Sequence, residues 1–388
     1  MTLFTKRWAA AAAGTVVLGT AAVVMIQEEA PHYQPREGVF VEQGIHGALA
    51  YLHSLRANQV TGEVDPAWIL AAQEQADRLA AGKTASLEWE SVGPDNGGGR
   101  TRALLVDRDS SNVVYVGSVS GGFFKSRNGG ATWKSMSDPT HNLAVVSICQ
   151  AANGDLYYGT GEFPYIGYGG GGASSTPSFI GGGMFKSTDR GVTWTRLSST
   201  VPTSTTPGGE WTSVARMEAH PTNANVIYAG TIDGFKRSTD GGLTWSTTLS
   251  GLVRDMTISS GGALWVSNGG KVMFSNDEGL TWVEKSTPTP GTTGLPRRTS
   301  RTRIAVSPQN NNIVYVAQLS GDALSAVYRS ADNGATWSKI GQKSTFFDPM
   351  CQSGRCQGEY DFLFAVSPKD ANQIWLGGIT VWDWNQTA

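Results

Sequence analysis

An eight-residue pattern, Ser-x-Asp/Asn-x-Gly-x-Thr-Trp, occurs five times in this chain, at 126–133, 187–194, 238–245, 275–282 and 330–337. The starts are 61, 51, 37 and 55 residues apart. Repeats of roughly 40–50 residues that hold several short strands point to the radially arranged sheets of a β-propeller. A second pattern precedes most of the copies: an apolar strand, a polar turn rich in Asn and Pro, and a second strand ending in Gly or Ala. It is read at 107–117, 220–230, 307–317 and 367–377. Each unit therefore supplies an inner strand, two further strands, the eight-residue turn and an outer strand.

The chemistry of the turn is structural. Its Asp or Asn accepts hydrogen bonds from nearby backbone N–H groups. Its Gly takes a conformation that a Cβ opposes, and its Trp is expected to fill the space between blades. Asp189, Asp240, Asp277 and Asp332 are accordingly not assigned to catalysis. Composition agrees with an all-β chain: 49 Gly and 13 Trp, with 16% charged residues, suit many short strands joined by tight turns. Lys+Arg 30 against Asp+Glu 32 leaves no basic excess, so nucleic acid is not an expected partner.

Three regions are expected. Residues 1–26 carry Lys6 and Arg7 before an uncharged, mostly apolar run from Trp8 to Ile26, which reads as a signal peptide or a retained membrane anchor. Either form places the rest outside the cytoplasm, in the cell envelope or the extracellular space. Residues 27–86 read as a linker and a short helical segment, the second helix starting at Asp65-Pro66. Residues 87–388 form the propeller. Two readings of its ring stay open. The strand around Trp89 could complete the last blade and close six blades, or the chain is part of a larger propeller.

The repeated turns resemble the Asp-box, or bacterial neuraminidase repeat, family, which includes sialidases, tandem-propeller xyloglucanases and the sortilin N-terminal domain. The stretch Trp89-Glu-Ser-Val-Gly-Pro-Asp-Asn-Gly-Gly-Gly-Arg-Thr-Arg102, with Tyr158-Gly-Thr-Gly-Glu162, is similar to sortilin-like propellers of secreted bacterial proteins. The resemblance implies a propeller that binds or scaffolds. Sialidase activity does not carry over, because Gly99-Arg100-Thr101-Arg102-Ala103-Leu104 stands where the Phe/Tyr-Arg-Ile-Pro motif is expected.

Candidate ligand residues fall in two groups. Arg100, Arg102, Arg216, Arg254, Arg301 and Arg303 recur near the starts of inner strands, where inward-pointing guanidinium groups would favour a carboxylate or sulfate. The alternative is that they pair with Asp107, Glu218, Asp255 or Asp361. The second group lies in the glycine-rich insertion 159–183: Glu162, Phe163, Tyr165 and Tyr168, whose rings suit stacking on sugars or anchoring a protein. The main expectation is thus an exported binding module for a protein or glycan. The alternative is a glycoside hydrolase, with Glu162, Glu210, Asp233, Asp255 and Asp361 as its candidate carboxyl groups. No metal site and no cofactor are expected. Cys351 and Cys356 could form a small disulfide, and Cys149 reads as a buried thiol.

Overall fold

The computed structural model describes residues 71, 74, 75, 78, 79 and 100–385, except 138–140, 163–179, 204–208, 288–293, 298–299 and 345–346. The strands build six blades of a propeller. Blade 1 comprises β1 (Thr101–Asp107), β2 (Ser110–Ser118), β3 (Gly122–Ser126) and β4 (Lys134–Ser135). Blade 2 holds β5 (Val145–Gln150), β6 (Leu156–Thr160), β7 (Met184–Ser187) and β8 (Thr195–Arg196). Blade 3 holds β9 (Val214–Ala219), β10 (Ile227–Thr231), β11 (Gly234–Ser238) and β12 (Ser246–Ser250). Blade 4 holds β13 (Val253–Ile258), β14 (Leu264–Asn268), β15 (Lys271–Ser275) and β16 (Val283–Glu284).

A short parallel pair, β17 (Ser286–Thr287) and β18 (Leu295–Pro296), leads to blade 5. That blade is β19 (Thr302–Val306), β20 (Val314–Ser320), β21 (Ala323–Ser330) and β22 (Ser338–Gln342). A hairpin of β23 (Cys351–Gln352) and β24 (Arg355–Cys356) follows, joined by the Cys351–Cys356 disulfide. Blade 6 shows β25 (Leu363–Val366), β26 (Gln373–Gly377) and β27 (Val381–Asn385). Within each blade sequence neighbours pair antiparallel, as short strands joined by tight turns must. The strand expected around Trp89, the signal or anchor segment and the linker lie outside the described residues. Of the second expected helix, Ala71, Glu74, Gln75, Arg78 and Leu79 are helical.

The core lies between blades. Five apolar clusters each join one blade to the next, from Tyr115, Phe123, Tyr158 and Phe185 between blades 1 and 2 to Tyr315, Leu319, Met350 and Ile374 between blades 5 and 6. Buried Cys149 belongs to the second of these, where burial pushes its thiol pKa well up. Period-2 alternation explains the pattern: a strand turned apolar on both faces can pack a neighbour on each side.

The repeated turns form as their chemistry requires. Each Ser hydroxyl donates to the Asp or Asn side chain two residues on, at 2.7–2.9 Å. It also accepts from the backbone N–H of the Gly four residues on, at 2.8–2.9 Å. The Asp or Asn oxygen accepts from the Thr N–H, at 2.8–3.0 Å. The Gly serves packing as well as backbone shape. At Gly279 (φ 81°) a Cβ would lie 2.7 Å from Phe235 of the preceding blade, and at Gly334 (φ 74°) 2.6 Å from Trp265.

The box tryptophans pack the same way, Trp194 against Phe123, Trp282 against Phe235 and Trp337 against Trp265. Trp133 departs from the expectation that all five fill interblade space: it is 44% exposed. Trp245 packs instead against Trp211, just before its own blade.

Candidate functional site

Six inner strands surround the axis, and the start of each delivers its side chains to one end of the channel. Arg100 precedes β1 and Arg102 lies on it; Arg216 is on β9, Arg254 on β13 and Arg303 on β19, with Arg301 just before. All six line a single cavity of about 450 Å³, together with Glu162, Glu359, Tyr360, Asp361 and Phe362. The sequence reading of an inward-facing arginine group therefore matches where these residues sit. Glu162 joins them from the end of β6, almost fully buried at 2% exposure. Phe163, Tyr165 and Tyr168 lie outside the described residues.

Four of the arginines meet carboxylates. Arg100 grips Glu162 with both prongs, at 2.9 and 3.3 Å, and donates to the Tyr360 hydroxyl. Arg254 lies 2.6 Å from Glu359. Arg303 donates to Asp255 at 2.7 Å, and the other oxygen of Asp255 accepts from the Ile304 N–H at 2.9 Å. Arg216 lies 3.5 Å from Glu218 and 4.0 Å from Asp255. Of the expected pairings, Asp107 does otherwise, binding Arg190 and the Tyr115 hydroxyl, and Asp361 forms no ion pair within 4.0 Å among the described residues. Asp107 sits at the far end of β1, remote from the channel end where its arginines begin.

Arg102 and Arg301 are different. Neither forms an ion pair within 4.0 Å among the described residues. Both donate to backbone carbonyls instead, Arg102 to Tyr360 O at 2.9 Å, and Arg301 to Tyr360 O at 3.0 Å and Glu359 O at 2.7 Å. Burial, then the positive charge of Arg303, Arg102 and Arg254, pulls the Arg301 guanidinium well below its ordinary pKa. Burial and Arg303 lower Arg102 in the same way.

The carboxyl groups feel burial in the opposite sense. Burial raises Asp361 against the pull of Arg102 and Arg301. Beneath the mouth, burial lifts Glu218 to about 7 despite Arg216. Of the other carboxyl groups weighed from sequence, Glu210 and Asp233 are held by Lys236 at 2.7 and 2.6 Å and do not line the cavity. Asp255 is buried as an anchor for β19. Glu162 and Asp361 remain in the mouth, joined by Glu359, which sequence reasoning did not single out. Glu359 and Tyr360 arrive on the irregular segment before β25, which has no counterpart in the repeat. The box acids stand apart on exposed turns, where hydrogen bonds from Thr hold Asp189, Asp240, Asp277 and Asp332 at about 2. Among the described residues no three His, Cys, Asp or Glu side chains form a metal-binding group. None of the described helices is long and apolar enough to cross a membrane.

Comparison with known proteins agrees with the architecture. No family model matches the chain. A xyloglucanase of Hypocrea jecorina (strain QM6a) is 26% identical over 274 residues, covering 68% of this chain and 29% of the relative. A Paenibacillus sp. xyloglucanase is 38% identical over 76 residues, 20% of this chain and 7% of the relative. The chain thus spans less than a third of the length of the curated relatives it matches. Among solved structures, an ancestral GH74 enzyme aligns with a TM-score of 0.53 at 19% identity, over 78% of this chain and 39% of that one. The GH74 enzyme of Niastella koreensis aligns with a TM-score of 0.53 at 17% identity, over 73% and 44%. These likenesses establish the all-β propeller fold.

Proposed function

We propose that this chain is a glycan-active propeller of glycoside-hydrolase type, exported from the cytoplasm, which takes a polysaccharide across the arginine-lined mouth and cleaves it there. The observation that carries the reading is the pairing of unlike carboxyl groups in one cavity. Asp361 is biased towards its protonated form by burial, while Glu162 is gripped by Arg100. Glycoside hydrolysis uses two such groups, one that protonates the leaving oxygen and one that acts as an ionised carboxylate. In this reading Asp361 is the proton donor and Glu162 the carboxylate. Arg100, Arg102, Arg216, Arg254 and Arg303 orient the chain of sugars by hydrogen bonds to its oxygens. The similarity to xyloglucanases makes xyloglucan the first substrate to offer. No cofactor enters this chemistry.

The test is reducing-end release from xyloglucan by the full chain. Turnover that disappears in Asp361→Asn supports the assignment; undiminished turnover in that variant removes Asp361 from the reaction.

A second reading is favoured by the ion pairs themselves. Arg100 and Arg254 commit Glu162 and Glu359, as they would in a mouth that binds a glycan or protein ligand without cleaving it. Binding of xyloglucan oligosaccharides without any reducing-end release would select this reading.

A further inference from the structure

We propose that the mouth recognises a carboxylate on its glycan, a uronic acid held between Arg102 and Arg301. This inference rests on the glycan reading above and adds the class of sugar.

The argument is one of unmatched charge. Of six guanidinium groups around the cavity, four face a carboxylate among the described residues, and Arg102 and Arg301 do not. These two converge: each sends Nη1 to the same acceptor, the carbonyl oxygen of Tyr360. Two like charges are therefore brought together on one neutral oxygen, with Arg301 only 6% exposed. Burying a charge is costly unless it is paired. Each guanidinium has five N–H donors, and the described residues accept from one nitrogen of each side chain. Both lie over aromatic rings, Arg102 5.4 Å from the Tyr360 ring centroid and Arg301 6.0 Å from that of Phe362. The carboxylates whose charge acts on them, Glu162 on Arg102 and Asp255 on Arg301, are already bound by Arg100 and Arg303. An anion entering the cavity would restore the balance, and a planar carboxylate fits the paired, planar donors better than a point charge needs. A sulfate ester shares the charge but not the planar two-oxygen edge.

The experiment is calorimetric titration of the full chain with three oligosaccharides of equal length: one bearing glucuronic acid, its methyl ester, and a sulfate ester. The acid is expected to bind at least about tenfold tighter than the methyl ester. That preference should weaken as salt is raised. Arg102→Met, on a partly exposed side chain, should bring acid and ester within about twofold of each other. Wild-type competition by free glucuronate gives the same readout if that variant does not fold. Equal affinity for acid and ester, or tighter binding of the sulfate ester than of the acid, would overturn the proposal. Reducing-end release is measured separately. Acid preference without turnover would remove the hydrolase reading and leave this site standing.

Discussion

The box turns and the channel mouth both concentrate acids beside hydrogen-bond donors, yet they drive those acids in opposite directions. On the turns the carboxylates are exposed and accept from a Thr hydroxyl and backbone N–H groups, which hold them at about 2. In the mouth Asp361 is partly withdrawn from water, and burial raises it although Arg102 and Arg301 oppose the rise. Local hydrogen bonding favours the charged form; desolvation favours the neutral one. The difference separates acids that shape the backbone from acids poised to exchange a proton. It also explains why a repeated acid is a poor guide to the site: the acids that repeat belong to the turn, and the acids of the mouth occur once.

The sharpest way to break this contrast is at the mouth. Asp361→Asn should lower reducing-end release by about 100-fold or more, the range for loss of a general acid. Stability should change little, since no hydrogen bond of its side chain joins the described residues. Next in size are the turns. Gly279→Ala places a Cβ 2.7 Å from Phe235 at φ 81°. It should cost about 1–3 kcal/mol in a denaturant titration, with ligand affinity at the mouth unchanged.

Ser275→Ala removes a buried hydroxyl that joins Asp277 and the Gly279 N–H. It should cost about 1–2 kcal/mol, again without effect at the mouth. A turn variant that abolished binding as strongly as Asp361→Asn abolishes turnover would dissolve the distinction.

The smallest effects are in pH. The box acids have folded values of about 2 against an ordinary 3.8. Their contribution is present above 3.8 and is lost as pH falls from there through 2. Glu218 acts in the opposite sense: raised to about 7 from 4.5, it binds its proton more tightly when folded. Its contribution to stability falls as pH rises from 4.5 through 7. Melting temperatures between pH 2 and 8 should therefore peak at an intermediate pH, and Glu218→Gln should flatten the neutral side only.

Much of this was legible before the fold was known because it is local. A Ser, an Asp, a Gly and a Thr within seven residues contain all the partners that the turn needs, so its geometry follows from spacing. The arginines were legible for a related reason: their recurrence at inner-strand starts converts register into a common direction. Other features depend on contacts between blades and left no such trace. The closeness of Gly279 to Phe235 arises across 44 positions of sequence. Glu359 and Tyr360 reach the mouth on a segment that breaks the repeat, and nothing in the turn motif itself marks Trp133 as the exposed copy.

The most direct test of where function lies is hydroxyl-radical footprinting of the full chain with and without xyloglucan oligosaccharides and their glucuronate-bearing counterparts. Protection centred on Tyr360, with Trp133 and Trp382 unchanged, is the result expected of a ligand seated at the channel mouth. Protection of Trp133 or Trp382, with Tyr360 as reactive as before, would place the ligand away from the channel mouth and contradict the account.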